Sequence, residues 1–405
     1  MAISADYLET LFATHFGELE RKGAVFASAP GRLEVAGNHT DHQGGLVISA
    51  AANLRIFGLG RSNGLPCIRV YMDGFGLCEI NLVDHQWGEP VEAEETTSKA
   101  LIRGMAAAWH KDHPITSGFD LVTSSEIPVG CGISSSAAFE MLLGAFIARL
   151  YGGPAYSWDP IELALTGADV ERRYFGKPCG AQDQLASACG GMLYMDFSKE
   201  RPEIFELETD FSNSGLSFCL VDSHQDHAEF GDEFALVAED MFDVARYFGF
   251  NRLSDVSEDQ FFSGFNTART FLGDRRVLRA LHYFGEVDRV ARQKRNLEEE
   301  NYADFIDTMR LAGASSAQYL QNVSPRGDGS GGNQQPMIIL SLCSHLLKDQ
   351  GAWRIHGGGF GGSVMVCAPS ELLADFSESM DRLLGYPATF RATIDQKGAI
   401  ATFLD

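Results

Sequence analysis

Three short stretches of this chain gather side chains that could do chemistry together. "APGRLEVAGNHTDHQGGL", Ala29 to Leu46, sets an arginine ahead of an Asn-His-Thr-Asp-His cluster and paired glycines. "PVGCGISSSAA", Pro128 to Ala138, sets glycines and three serines ahead of an apolar run. "ERRYFGKPCGAQDQ" carries two acids twelve positions apart, Glu171 and Asp183. Glycines before a helix let backbone N–H groups approach an anion, and the helix N-terminus adds a positive dipole end. Serines there can donate hydrogen bonds or ligate Mg²⁺. Phosphoryl transfer to a hydroxyl needs one carboxylate to orient or deprotonate the nucleophile and another to hold the metal on the phosphates. Each stretch also has a plainer reading: loop residues chosen for turn geometry, serines that cap a helix, solvated charge around Glu171, and Asp183 as an N-cap. A fourth stretch, "HGGGFGGS" from His356 to Ser363, reads as a tight turn that lets another loop come near a ligand.

The elements that must position these residues read as follows. "MAISADYLETLFATHFGELE" opens with an amphipathic helix, Leu8, Leu11, Phe12 and Phe16 recurring at helical spacing. "AVFASAP" is a short strand ending at Pro30, and "LVISAAANLRIFGLGRS" is a strand pair broken near Gly58 to Gly64, so the His/Asp cluster lies on a connection between strands. "GFDLVTSSEIP" is a strand, the serine run follows, and "AAFEMLLGAFIARLYGG" is a helix ended by glycines. "IELALTGADVERRYFG" continues as helix, so Glu171 stands on a helix and Asp183 in a glycine-preceded loop. From about Phe218 a strand leads into long amphipathic helices through Gln321, and "NVSPRGDGSGGNQQP" is an exposed loop before a further helix. Strands and helices interleave without βαβ regularity, which predicts an α+β fold.

The bulk of the chain narrows the classes. With 405 residues, 45% of them hydrophobic, it is a globular protein of two domains. A formal charge of −23 argues against a nucleic-acid partner. Eight cysteines without a CxxC pair suggest neither a disulfide framework nor a zinc site, which fits a reducing, cytoplasmic location. No apolar run reaches membrane-spanning length, and the early acids are unlike a signal peptide. The phosphate stretch is not a Walker loop, since "GxxxxGK[ST]" is absent, nor a protein kinase loop.

Taken in order, "GRLEVAGNHTDHQGG", "PVGCGISSSAA", "CGAQDQ" and "GGGFGGS" resemble the motifs of the galactokinase family within the GHMP small-molecule kinase superfamily: a "GRVNLIGEHTDYNGG"-like signature, a "PxGxGLSSSAA" loop, "CGxMDQ" and a "GGGFGG" turn. The resemblance spans the chain. It implies a two-domain α+β protein, residues 1–176 forming a domain like the second domain of ribosomal protein S5 and residues 177–405 a ferredoxin-like domain, with the active site between them. It implies ATP and Mg²⁺ as cofactors, a small sugar as substrate and a monomer as the assembly. Carried across by position, Arg32 and Asp183 fall on the catalytic arginine and aspartate. Asn38, His39, Asp41, Gly180 and Phe234 fall on sugar-binding positions. Gly130, Gly132, Ser134, Ser135 and Ser136 fall on nucleotide-contact positions, and Ser136 and Glu171 on Mg²⁺ ligands.

Two positions depart from that pattern. Asn38 replaces the glutamate that partners the sugar's C6 hydroxyl, and Phe234 replaces a sugar-contacting tyrosine. An amide at 38 can serve a C6 hydroxyl or tolerate a C6 carboxylate. The implied activity is therefore D-galactose phosphorylation at the anomeric oxygen, with galacturonate as the alternative substrate. On the galactose reading, Asn38→Glu is expected to keep or improve activity. A non-catalytic sugar and ATP sensor is disfavoured, because the "SSSAA" run, Arg32 and Asp183 are all present. A purely structural sugar-binding protein leaves the phosphate loop unexplained.

Overall fold

The computed structural model describes residues 3–177, 179–209, 211–225, 230–325 and 334–404. The opening helix α1 (Ala5–Phe16) starts where the Ser4 hydroxyl accepts the Tyr7 N–H, and it buries Leu8 and Phe12. The strands are β1 (Val25–Ala36), β2 (Leu46–Ser62), β3 (Cys67–Met72), β4 (Gly76–Asn81), β5 (Phe119–Ser125), β6 (Met192–Asp196), β7 (Glu203–Glu206), β8 (Leu216–Asp222), β9 (Ala352–Ile355), β10 (Ser363–Pro369), β11 (Thr389–Ala392) and β12 (Ile400–Phe403). The remaining helices are α2 (Ser98–Asp112), α3 (Ser135–Gly152), α4 (Pro160–Val170), α5 (Gln182–Cys189), α6 (Gly231–Tyr247), α7 (Glu258–Leu272), α8 (Asp274–Glu298), α9 (Tyr302–Ser315), α10 (Gln335–Leu347) and α11 (Leu373–Leu384).

Two sheets organise the molecule. The larger has eight strands in the order β12-β1-β2-β5-β3-β4, with β6 also pairing β2 and β7 beyond it. Among the described residues, only β3 and β5 run parallel within it. The smaller is a four-stranded antiparallel sheet, β11-β8-β10-β9, covered by apolar side chains of α10 and α11 such as Ile339, Cys343, Phe376 and Met380. A third cluster, built around Val237, Met241, Phe261 and Tyr283, holds α6, α7 and α8 together. The α+β reading holds. Beyond residue 177, α5 and β6 bury Leu185, Ala186, Met192 and Met195 in the same core as β1 and α3, and β6 pairs with β2. The edge of β1 is completed by the last strand of the chain, Val25 opposite Phe403.

The strand boundaries differ from the sequence reading at two places. β1 does not stop at Pro30 but runs on to Ala36, with a register shift between Pro30 and Arg32. Proline lacks an N–H for the ladder, and a bulge accommodates it. The Arg32 N–H leaves the sheet there and donates to the Ile133 carbonyl at 2.9 Å, tying β1 to the serine loop. Likewise β2 is one strand of 17 residues with no break at Gly58. It changes partner along its length, pairing β6 through Leu46–Ala50 and β5 through Ile56–Ser62. The segment 326–333, within the expected exposed loop, lies outside the described residues. Among the described residues no helix is long and apolar enough to cross a membrane.

Candidate active site

The motif residues converge on one cavity of about 770 Å³. Arg32, His39, Asp41, Gly130, Gly132, Ser134, Ser135, Ser136, Gly180, Asp183 and Phe234 all line it. Four loops build it: the β1–β2 connection, the turn before α3, the turn before α5, and the glycine turn before β10.

Asp183 lies in the first turn of α5, not in a loop, and its carboxylate is held from two sides. Arg32, 4% exposed, donates from Nε to Oδ1 at 2.6 Å, and the Ser134 hydroxyl donates to Oδ2. Burial works against this charge, but Arg32 beside it holds the carboxyl below the usual aspartate range. Arg32 also donates to the Gly132 carbonyl, at 3.3 Å.

The serine run does more than cap α3. Ser134 takes a left-handed φ of 59° at the N-cap position and makes no side-chain cap bond, its hydroxyl being committed to Asp183. Ser136 donates to Glu171 Oε1 at 3.0 Å. Serines 134 to 136 stand at the N-terminus of an 18-residue helix facing the cavity, where the helix dipole and free N–H groups favour phosphate.

Glu171 is buried beneath the cavity, at the start of a π-turn (Glu171–Phe175) that follows α4. Besides Ser136, it accepts from Lys177 Nζ at 3.2 Å and from Gln184 Nε2 at 2.7 Å. A hydroxyl and a carboxylate side by side form the hard-oxygen pair that Mg²⁺ takes alongside phosphate oxygens. Among the described residues no group of three or more His, Cys, Asp or Glu could hold a metal, so waters and nucleotide phosphates would complete such a shell.

On the sugar-loop side, Asp41 opens a 3₁₀ turn (Asp41–Gln43). Burial and the neighbouring Asp183 carboxylate raise its carboxyl to about 7. Gly180 is glycine because Asp41 Oδ2 would lie 1.7 Å from a Cβ there. His39, with a left-handed φ of 59°, donates from Nε2 to the Gly358 carbonyl at 2.9 Å. Phe234, in the first turn of α6, packs against Gly358 so closely that a Cβ would meet its ring at 1.9 Å, and its ring centre is 5.3 Å from that of His39. It presents an apolar wall where a tyrosine would offer a hydroxyl.

Asn38 is the exception. It is 1% exposed and is absent from the cavity wall, because its amide is consumed by protein. Nδ2 donates to Glu34 Oε1 at 2.8 Å and to the Gly357 carbonyl at 2.6 Å, and Oδ1 accepts from Asn322 Nδ2 at 2.8 Å. The side chain that reaches the cavity is Glu34, two residues along β1 from Arg32 and on the same face. Its carboxylate accepts from Arg354 at 2.8 Å and from Gln182 at 2.9 Å. Burial opposes its ionisation, but Arg354, Arg32 and His356 hold it far below the ordinary glutamate range. Alternation past Pro30 would have pointed to Glu34 had the strand been read as continuing. His356, Gln182 and Lys177 also line the cavity and were missed, lying inside motifs read for their glycines and aspartate. The glycine turn fastens the sugar loop, its Gly357 and Gly358 carbonyls accepting from Asn38 and His39.

Residues 100–191 match the GHMP kinases N terminal domain, and residues 10–62 match the galactokinase galactose-binding signature. The chain is 27% identical over 373 residues to a galactokinase of Mannheimia succiniciproducens, covering 90% of each. Among solved structures, galactokinase of Lactococcus lactis complexed with galactose superposes with a TM-score of 0.82 at 22% identity, over 98% of this chain and 99% of that one. Mevalonate kinase of Methanococcus jannaschii gives 0.60 at 15% identity, over 91% and 98%. Residues 100–191 thus carry a GHMP kinases N terminal domain and residues 10–62 the galactokinase galactose-binding signature, on a fold shared with the solved kinases.

Proposed function

We propose that this chain is an ATP- and Mg²⁺-dependent sugar 1-kinase that converts D-galactose to α-D-galactose 1-phosphate. The observation that carries the reading is Asp183, held between Arg32 and the Ser134 hydroxyl at the meeting of the sugar loop and the phosphate loop. Two of the proteins named above are galactokinases, one of them complexed with galactose.

In this reading the anomeric hydroxyl points at Asp183. A carboxylate kept ionised by Arg32 is a weak base before reaction. In a loose phosphoryl transfer the hydroxyl acquires acidity as its bond to phosphorus forms, so a weak base suffices to receive the proton. Arg32 then balances the charge that develops, with no reorganisation needed because Asp183 and the Gly132 carbonyl already orient it. Asp41 accepts from two neighbouring hydroxyls and His39 contacts the same sugar edge. Gly130, Gly132 and the serines cradle the phosphates. Ser136 and Glu171 would hold Mg²⁺, which when bound neutralises phosphate charge.

Galactose is favoured over galacturonate by the charge of the wall. Glu34, Asp41 and Asp183 all face the cavity; Arg354 and Arg32 offset Glu34 and Asp183, but a C6 carboxylate beside Asp41 would meet a like charge once Asp41 ionises. We further propose a cytoplasmic monomer whose two units meet at the cavity, the first taking in β6, β7 and β12. An ATP-consumption assay over galactose, galacturonate, N-acetylgalactosamine and glucose tests the reading. Galactose is expected to give the highest kcat/KM, and turnover of none of the four overturns it.

A further inference from the structure

Lys177 enters the cavity from the turn that joins α4 to α5. The π-turn closes where the N–H of Gly176, whose φ of 80° is left-handed, donates to the Glu171 carbonyl, and the Lys177 N–H reaches the same oxygen at 3.2 Å. Single π-turns of this kind concentrate at functional sites. This one sets the Lys177 ammonium opposite the Glu171 carboxylate, with Nζ donating to the same oxygen, Oε1, that receives the Ser136 hydroxyl. The side chain is 33% exposed, lines the cavity, and carries its ammonium 5.9 Å from the centre of the Phe234 ring. An ammonium has three N–H groups, and among the described residues one is used, on Glu171. Lys177 and Asp183 are also near enough for each to stabilise the other's charge.

We infer that Lys177 is a second cation for the transferred phosphoryl group, acting with Arg32 across Asp183 and donating hydrogen bonds to a terminal phosphate oxygen. The inference rests on the proposed kinase reading. Phosphate, not sugar, is the partner because the oxygen that anchors the ammonium, Glu171 Oε1, also receives the Ser136 hydroxyl of the phosphate loop, and neither Asp41 nor His39 holds the ammonium. In the transfer the bond between the anomeric oxygen and phosphorus forms. The bond from that phosphorus to the bridging oxygen breaks with its electron pair left on ADP, the hydroxyl proton goes to Asp183, and Lys177 keeps its protons throughout.

The test compares wild type, Lys177→Met and Lys177→Arg by calorimetric titration with Mg-ATP and Mg-ADP and by steady-state kinetics on galactose. Lys177→Met is expected to weaken ATP about 10-fold while leaving ADP within about 2-fold, and to lower kcat roughly 10- to 100-fold with galactose KM unchanged. Lys177→Arg, which keeps the charge, is expected to recover most of the loss. Equal weakening of ATP and ADP would show that Lys177 merely supports Glu171, and would overturn the inference. So would unchanged ATP binding with a loss confined to galacturonate. Should Lys177→Met not fold, Lys177→Gln, which also removes the charge, carries the same comparison of ATP with ADP. If wild type phosphorylates no sugar, the kinase reading fails, while the ratio of ATP to ADP affinity still decides the contact.

Discussion

Asn38→Glu separates the sequence reading from the structural one. By motif alone the change restores a family residue and should be harmless or helpful. In the structure it removes the amide that donates to Glu34 Oε1 at 2.8 Å and to the Gly357 carbonyl at 2.6 Å, and puts a carboxylate against both acceptors. One of its oxygens could still accept from Asn322, but the other would face Glu34, which is 1% exposed and ionised. A hydrogen bond to a charged group is worth about 1.5–3 kcal/mol and one to a carbonyl about 0.5–1.5 kcal/mol. An uncompensated buried charge costs about 3–5 kcal/mol unless the new group takes up a proton. We therefore expect Asn38→Glu to destabilise the protein by about 3–5 kcal/mol, measured by urea unfolding followed by tryptophan fluorescence. The double variant Glu34→Gln with Asn38→Glu keeps an amide facing a carboxylate but takes the carboxylate at 34 from Arg354, so it is expected to lose less than the sum of the two single variants. An Asn38→Glu protein as stable as wild type, or a double variant whose loss equals the sum of the singles, would refute the reasoning.

Other outcomes follow from the same geometry. Asp183→Asn removes the proton acceptor while preserving shape, so kcat is expected to fall roughly 10²–10⁴-fold with ATP affinity retained by titration. Asp41 must be ionised to accept from two hydroxyls, yet in the free protein its carboxyl is raised to about 7. Galactose KM is therefore expected to rise as pH falls below about 7, approaching 10-fold per pH unit, and to level off above it. Asp41→Asn should abolish that pH dependence, and a KM independent of pH in wild type would count against Asp41. Glu171→Gln removes a hard oxygen charge from the Ser136 pair, so half-maximal activity should need more Mg²⁺, with excess metal restoring part of the rate. Unchanged Mg²⁺ dependence would mean that Glu171 serves only its protein partners.

Much of the site was legible because its chemistry is local. Glycines with left-handed backbone before a helix, and an arginine near the start of a His/Asp cluster, sit where short-range rules place them. Asp183 was placed in a loop because Gly180 precedes it, whereas α5 starts at Gln182 and brings it to the cavity on a helix turn. What stayed hidden depends on long-range partners. Which way Asn38 points is decided by Gly357 and Asn322, some three hundred residues away. Arg354, wholly buried, reaches across the same gap to neutralise Glu34. The closing strand β12 returns to β1 from the far end of the chain, and no local pattern announces such pairing. The placement of Lys177 depends on a π-turn, which differs from an α-turn by one residue in hydrogen-bond spacing and leaves no mark in apolar periodicity.

The central claim is that Asp183 receives the anomeric proton as the γ-phosphoryl passes to galactose. Phosphorus NMR of a reaction holding galactose, ATP and Mg²⁺, run with wild type and with Asp183→Asn side by side, tests it most directly. Wild type is expected to produce a phosphate ester coupled to the anomeric proton in the α configuration, and Asp183→Asn to produce almost none over the same interval. A product phosphorylated at another oxygen, or equal product from the two proteins, would contradict the account.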